Sequence, residues 1–157
     1  MTHIGEIMAY TSGFGTRFAT PIWGSVILAV TAAILPSTVA RSATDATVSS
    51  LELNVSGLRN KKGNILICLT RNSKAFPDCS KDPNSQKRTV SATAATGLMF
   101  SDLQDGQYAL SLIHDENGNG KLDKAVLIPK EGFGFSRNPT ITFGPPKFKS
   151  AAFAVSG

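Results

Sequence analysis

Oxygen-bearing side chains recur at close intervals along one short stretch of this 157-residue chain. They are Asp115, Asn117, Asn119 and Asp123. Glycines between them leave the backbone free to curl, and carboxylate and amide oxygens are the ligands that Ca²⁺ prefers. The stretch therefore predicts a metal-binding loop over residues 115–123, to which the backbone carbonyl of Lys121 contributes a further oxygen.

The order of these residues matches the first nine positions of an EF-hand calcium loop. Asp115 stands at position 1, Gly120 at the turn position 6, and Asp123 at position 9. The match fails at position 12, where Val126 replaces the glutamate that binds calcium through both oxygens. With only two charged ligands, we expect weak affinity, on the order of the 10⁻⁴–10⁻³ M seen in extracellular modules.

The same loop has an interpretation without metal. Asn-Gly and Gly-Asn pairs favour left-handed backbone angles, and Asx-type hydrogen bonds can hold such a turn. The missing ligand favours this interpretation, whereas a further carboxylate that completes the shell would favour the metal, and Glu116 and Glu131 are the candidates for it. Ca²⁺ is the one cofactor that the sequence suggests.

A histidine directly precedes the loop. His114 stands beside Asp115 and Glu116, where a carboxylate could orient it as a general base. A hydrolase would also need a nucleophile, and the candidate Ser136 lacks the Gly-x-Ser-x-Gly elbow. Since nothing supplies an oxyanion hole, we predict no enzymatic activity and no catalytic residues, with a hydrolase using His114 as the alternative.

Aromatic residues follow the loop at Phe133, Phe135, Phe143 and Phe148. Phe133 and Phe135 alternate with glycines and so point to the same side of an extended backbone. Because aromatic side chains mostly fill cores, we interpret the four as a lid over one end of the core. The alternative is a shallow apolar groove for a peptide, a glycan or a lipid.

Short strands must position these residues. Apolar alternation or short apolar runs predict strands at residues 48–55, 64–70, 89–94, 98–101, 107–114 and 148–155, with a further short strand or extended loop at 140–143. Residues 71–87 are polar and contain two prolines, which indicates a long exposed loop. The predicted fold class is all-β: a single antiparallel β-sandwich of about seven strands, with a small barrel as the alternative.

The first forty residues have the composition of a secretory signal peptide. A stretch with Arg17 leads to the apolar run 22–35, and small residues follow up to Ala40. The run is short for a membrane span, which needs about 20 residues. We therefore predict a signal peptide over residues 1–40 and a β-sandwich domain over 41–157, located in the periplasm or secreted. An uncleaved N-terminal anchor is the alternative.

Two cysteines, Cys68 and Cys79, are predicted to form a disulfide, because an even count in an exported chain favours one. The net charge is +5, but the basic residues are dispersed and do not form the cluster that nucleic acid requires. We expect an envelope protein or a glycan as partner, no nucleic acid, and no stable membrane span after cleavage.

Over essentially all of residues 41–157, and most specifically in the second half, the chain resembles a bacterial family, domain of unknown function 2141 (DUF2141). The resemblance lies in the Gly106-x-Tyr108 turn, the His-Asp strand end, the Asn-Gly-rich loop, the segment 129–136 and the Pro-x-Phe at 146–148. It implies an exported, prealbumin-like (transthyretin-like) sandwich and no reaction. The predicted function is a non-enzymatic binding or accessory module of the cell envelope, with a purely structural domain as a further alternative.

Overall fold

A computed structural model describes residues 8–11, 48–125 and 128–156 of this protein. Strands predominate, which confirms the all-β class. The strands are β1 (Met8–Thr11), β2 (Val48–Asn54), β3 (Asn64–Thr70), β4 (Gln86–Ser91), β5 (Leu98–Gln104), β6 (Gly106–Asp115), β7 (Lys124–Ala125), β8 (Ile128–Pro129), β9 (Gly132–Phe135) and β10 (Phe153–Val155). The helical elements of the described residues are a 3-10 turn, Ala92–Ala94, and the single-turn α1, Phe148–Ala151.

The strands form antiparallel sheets. The smaller sheet has the order β1-β2-β5. The larger sheet has β3 at its centre, between β4 and β6. The far edge of β6 pairs with β10 along its first residues and with β9 along its later ones. Strands β7 and β8 pair with each other.

The main core contains residues from both sheets. Alternate positions of β2 are buried, as period-two patterning requires, whereas β3 and β6 are buried along most of their length. The largest fully buried apolar side chains of this core are Leu51, Leu53, Ile65, Leu69, Phe100, Leu103, Leu110, Leu112 and Val155. Ten strands in the described residues exceed the predicted seven because short pairings such as β7 with β8 carry little sequence signal.

A second apolar cluster covers part of the opposite face of the larger sheet. Ala109, Phe133, Phe135 and Ala151 are its buried members, with Phe76, Ile141 and Phe148 packed against them. The Phe76 ring centroid lies 5.8 Å from that of Phe135 and 5.9 Å from that of Phe148. The larger sheet is therefore apolar on both faces, which explains the continuous apolar run of β3.

Several predicted segments have other bounds in the structure. Residues 140–143, predicted as a short strand or an extended loop, form no strand, and the predicted strand 148–155 divides into α1 and the short β10. Residues 132–135 form β9, which the glycine-rich sequence did not indicate. Strand β4 begins at Gln86, inside the predicted loop 71–87. Backbone pairing with β6 and burial of Phe133 and Phe135 outweigh the low strand propensity of Gly132 and Gly134.

Strand β1 lies inside the predicted signal peptide and pairs with β2 from Met8↔Asn54 to Thr11↔Leu51. The rest of residues 1–40 lies outside the described residues, so the signal peptide stays a prediction. Cleavage after Ala40 would remove β1 and leave β2 at the edge of the smaller sheet. In the described part of the chain, no helix is long and apolar enough to cross a membrane.

Candidate functional site

The predicted metal-binding loop begins at a buried carboxylate. Asp115 is the last residue of β6 and is 1% exposed. Its Oδ1 accepts the backbone N–H of Asn119 at 3.0 Å, and its Oδ2 accepts that of Gly120 at 2.8 Å. A positive φ of 79° at Gly120 lets the chain turn back toward the carboxylate. Asp115 therefore closes the loop from its first position.

The amide side chains of the loop converge on Asp123. Asn117 donates to Oδ2 of Asp123 at 2.7 Å, and Asn119 donates to Oδ1 at 3.0 Å. These two hydrogen bonds, that from Asn119 first, lower the pKa of Asp123 below its ordinary value. The amide oxygens accept backbone N–H groups of the loop itself, from Asn119 and Lys121. The loop is thus held by its own Asx-type hydrogen bonds.

Glu131 closes the loop from outside. This side chain is 5% exposed, and it accepts the backbone N–H of Glu116 at Oε1 and that of Asp123 at Oε2, each at 3.0 Å. Both carboxylate oxygens are therefore committed to backbone donors on the two sides of the loop. From the sequence, Glu131 is a candidate for completing a metal shell. In the structure, its contacts hold the backbone of the loop instead.

Glu116, the other candidate carboxylate, turns away from the loop. It forms an ion pair with Arg59 and accepts a hydrogen bond from the Asn60 side chain at 2.6 Å. Burial raises the pKa of Glu116, but the hydrogen bonds from Asn60 and Arg59 and the charge of Arg59 outweigh it and lower the pKa below its ordinary value. Arg59 also donates to the carbonyl of Lys130 at 2.8 Å, so the turn before β3 is tied to the same region.

The structure brings together four of the predicted metal ligands, Asp115, Asn117, Asn119 and Asp123, through the contacts above. The fifth, Lys121, donates its own backbone N–H to the Asn119 amide oxygen at 3.0 Å. Within residues 8–11, 48–125 and 128–156, no three His, Cys, Asp or Glu side chains cluster as a metal site would. Two carboxylates with two amides fit a hard, oxygen-preferring cation only if both amides turn their oxygens inward.

The residues considered for catalysis are not assembled. His114 is fully buried, and its Nε2 lies 2.8 Å from the Lys62 carbonyl, while its Nδ1 is 3.9 Å from Glu116. Ser136 is buried too, where its Oγ accepts the N–H of Leu110 at 3.0 Å and donates to the carbonyl of Ala151 at 2.5 Å. Leu110 and His114 are four residues apart on β6, about 13 Å along the strand. The His114 and Ser136 side chains therefore lie apart and contact different backbone groups.

A groove lies beside the second apolar cluster, on the face of the larger sheet that is turned away from the main core. We call it the outer groove, and its volume is about 720 Å³. Its floor contains Leu66, Cys68 and Ile113 of the central strands. The disulfide loop, the 115–123 loop and residues 141–145 contribute its walls. Leu66 and Ile113 are half-buried, so apolar surface is open to a ligand.

Lysines stand around the outer groove. Lys87 is on β4, opposite Cys68 in the register, and Lys121 and Lys124 come from the loop and from β7. All three side chains are exposed. Asp78 is the acidic residue of the lining, and hydrogen bonds from Ser80 lower its pKa below the ordinary value. The groove thus has an apolar floor and a predominantly basic rim.

The disulfide forms one side of the outer groove. Cys68 and Cys79 are bonded, with their Cα atoms 5.8 Å apart, as the sequence predicted. Asp82 holds the same loop by accepting a hydrogen bond from the Thr70 hydroxyl at 2.5 Å. The hydroxyl of Ser111 on β6 donates to the Pro77 carbonyl. The wall is therefore fixed to the sheet at several points.

Phe133 and Phe135 are buried, as the predicted lid requires, but they cover the face of the larger sheet that is turned away from the main core and do not close an end of that core. Phe133 and Phe135 are 8% and 7% exposed, and they pack in the second cluster while an edge of each lines the outer groove. Phe148 joins the same cluster. Phe143 is 89% exposed and covers nothing, so its assignment to the lid was wrong. Residues 140–143 form no strand, so no strand pairing holds Phe143 against the sheet.

The architecture defines a class of protein: a small all-β domain with a disulfide and a ligand-sized groove on one sheet. The chain belongs to the family described as "Uncharacterized protein conserved in bacteria (DUF2141)", whose model matches residues 53–157. This confirms the resemblance seen in the motifs, and the match covers the loop, the disulfide and the groove. No curated protein and no solved structure is significantly similar to the chain.

Proposed function

We propose that this protein is an exported, non-enzymatic binding or accessory module of the bacterial cell envelope, and that the outer groove holds its ligand. The observation that carries the proposal is the groove itself. Its volume of about 720 Å³ lies within the roughly 300–1,000 Å³ usual for small-molecule sites. An apolar floor with a few charged groups around it is also the usual composition of such a site. The sequence-based expectation of an envelope protein or a glycan as partner stays a prediction.

The disulfide supports an exported location. Cytosolic thiols are kept reduced, so a structural disulfide such as Cys68–Cys79 is typical of periplasmic and secreted proteins. The predicted signal peptide over residues 1–40 points to the same compartment. Fractionation of cells that produce the full chain tests this: an oxidised, shortened protein outside the cytoplasm is expected, and a reduced full-length protein in the cytoplasm would contradict export.

The burial of His114 and Ser136 supports a non-enzymatic role. A general base must reach the proton it removes, within about 3 Å or through one water. His114 has no exposed surface, and the Ser136 hydroxyl is engaged with backbone groups of Leu110 and Ala151. What the described residues offer instead is the open apolar floor of the outer groove.

Binding to the groove can be tested with a neutral apolar fluorophore, N-phenyl-1-naphthylamine. We expect its emission to rise on addition of the protein and this rise to be lost in Ile113→Glu, which places a charge on the floor. Met99→Glu is the matched control, since Met99 is 41% exposed on the other sheet. Equal dye binding by both variants, with both folded by circular dichroism, would show that the fluorophore binds elsewhere and would refute the groove as the site.

Ca²⁺ binding by the 115–123 loop is a second candidate function. The specific observation in its favour is that four oxygen-bearing side chains meet in one hydrogen-bonded network, with Asp115 buried and fixed at its start. Both asparagines would have to exchange their donor contacts to Asp123 for metal contacts through oxygen. Two charged ligands are consistent with weak binding in the 10⁻⁴–10⁻³ M range, so millimolar Ca²⁺ is the appropriate test concentration.

Calorimetry on the chelator-treated protein tests the second candidate. If the loop binds calcium, millimolar Ca²⁺ gives a heat of binding and raises the melting temperature, and Asp123→Asn removes both effects. Mg²⁺ serves as a control cation because it demands a tighter octahedral shell than this loop offers. The absence of heat and of any melting shift would leave the loop as a turn held by its own hydrogen bonds.

A further inference from the structure

The outer groove combines two surfaces of opposite character within one ligand-sized space. Leu66 and Ile113 present alkyl groups from adjacent strands, since they are paired in the register of β3 with β6. Phe133 continues the apolar surface on β9, opposite Ile113. The apolar floor therefore extends across three strands, which lie about 4.8 Å apart in a sheet. An elongated apolar group matches this surface better than a compact one does.

The charge at the rim has a definite sign. Among the described residues, Glu116 forms an ion pair with Arg59, and none of the three rim lysines lies within ion-pair distance of a carboxylate. Lys87 attracts Asp78 and Lys121 attracts Asp123 only at longer range. Arg88 is not counted among the rim charges, because its guanidinium lies 4.6 Å from the centroid of the Phe100 ring, on the side of the main core. Three exposed ammonium groups against one carboxylate leave the rim positive.

We propose that the outer groove binds a single-chain alkyl carboxylate of the fatty-acid type, with the chain on the apolar floor and the carboxylate among Lys87, Lys121 and Lys124. This ligand class rests on the groove being the binding site, as proposed above. Burial of the chain supplies affinity in proportion to the apolar area covered. The lysines supply the preference for a negative headgroup over a positive one of equal chain length.

Matched probes separate the two contributions. Decanoate and nonyltrimethylammonium carry the same nine-carbon alkyl chain with headgroups of opposite charge. Titration calorimetry with the disulfide-bonded protein measures the affinity of both. We expect decanoate to bind about tenfold more tightly at low salt, since three exposed charge contacts each contribute a fraction of a kcal/mol. We expect the difference to shrink in high salt because exposed charges are screened.

Lysine variants locate the charge effect. The triple variant K87Q/K121Q/K124Q should bind decanoate no better than it binds nonyltrimethylammonium. The control triple variant K61Q/K74Q/K149Q removes the same number of exposed charges outside the groove and should keep the tenfold preference. All of these positions are exposed, so neither triple variant is expected to lose its fold. An equal loss of preference in both would overturn the role of the rim.

The remaining outcomes also decide between the two proposals. If both probes bind alike and Ile113→Glu weakens both, the groove is the binding site and the anionic ligand class is wrong. If neither probe binds while N-phenyl-1-naphthylamine does, the alkyl carboxylate is excluded and the groove keeps its role. If none of the three binds, the groove is not a site for apolar ligands and both proposals fail.

Discussion

Glu131 accepts the backbone N–H of Asp123 at 3.0 Å, across a gap of eight residues. The other oxygen of the same carboxylate accepts the N–H of Glu116, also at 3.0 Å. One buried side chain thus joins the entry and the exit of the 115–123 loop. The shape of that loop therefore depends on a residue of the segment 129–136, outside the loop itself.

Replacing this carboxylate tests the dependence. Glu131→Gln keeps the shape of the side chain but turns one oxygen into an amide donor that faces a backbone N–H. We expect the free energy of unfolding to fall by about 1–3 kcal/mol, as for other buried groups that lose a partner. We also expect faster hydrogen exchange at the amides of Glu116 and Asp123. Urea unfolding and exchange measured by NMR check both.

The matched control for that variant is Glu52→Gln on β2. The Glu52 carboxylate accepts a hydrogen bond from the Asn54 side chain two residues away, so its loss should change stability by no more than about 0.5 kcal/mol. Equal effects of the two substitutions would show that Glu131 does not brace the loop.

The sequence predicted the strands whose patterning is local. The alternation of Leu51 and Leu53 and the apolar run from Ile65 to Leu69 placed β2 and β3 within a residue of their observed bounds. It missed β9, because Gly132 and Gly134 have low strand propensity and only pairing with β6 makes that segment extended. It also missed α1, whose Phe148 and Ala151 are positioned by the second apolar cluster.

The candidate site was predictable only where it is contiguous in sequence. Asp115, Asn117, Asn119 and Asp123 lie within nine residues, and the structure joins them in one network. The outer groove was not predictable in detail, because Leu66, Lys87 and Ile113 become neighbours only through the register of β4, β3 and β6. The aromatic pair Phe133 and Phe135 was the one local signal of that surface.

Removal of the disulfide tests its contribution to the fold. Cys68 and Cys79 are 11 residues apart, and closing a loop of this size constrains the unfolded chain. Chain entropy predicts that the double variant C68A/C79A loses roughly 3 kcal/mol of stability. Reduction of the native protein should lower the melting temperature to a similar degree. An unchanged melting temperature in both cases would show that Asp82 and the Ser111 contact hold the loop without the bond.

Acid should destabilise the protein through Glu116. Its pKa lies below the ordinary value of 4.5 in the folded state, because hydrogen bonds from Asn60 and Arg59 and the Arg59 charge outweigh burial. The folded protein therefore keeps this carboxylate charged where the unfolded chain takes up a proton. The stabilisation is complete above the unfolded pKa and is lost as the pH falls below about 4.5 and through the lowered folded value.

Variants assign this acid effect to the residue. Between about pH 5 and pH 3, the range in which carboxylates titrate, the melting temperature of Glu116→Gln should fall less steeply than that of the native protein. Arg59→Gln keeps the carboxylate but removes its charged partner and should give an intermediate slope. A slope in Glu116→Gln as steep as in the native protein would assign acid sensitivity to other groups, such as Asp123 and Asp78.

Two glycines with nearly equal φ angles allow the cost of a left-handed backbone conformation to be separated from the cost of a steric clash. Gly63 has φ +68° and Gly97 has φ +66°, so alanine is strained at both. A Cβ at Gly63 would lie 2.0 Å from the Asp115 carbonyl oxygen, whereas a Cβ at Gly97 meets nothing within 4 Å. Gly97→Ala should therefore lose only about 1–2 kcal/mol from the left-handed conformation.

Gly63→Ala should lose more than this, because the backbone at Asp115 must move by over an ångström or the strand β3 must shift. Overpacking of a close contact adds about 1–3 kcal/mol to the conformational term. Urea unfolding of both variants gives the difference between them directly. Since the obstructed atom is the carbonyl of Asp115, displaced amide resonances of Asn119 and Gly120 should accompany Gly63→Ala and not Gly97→Ala. Equal stability of the two variants would mean that the approach of the 56–63 turn to the end of β6 is looser than its geometry indicates.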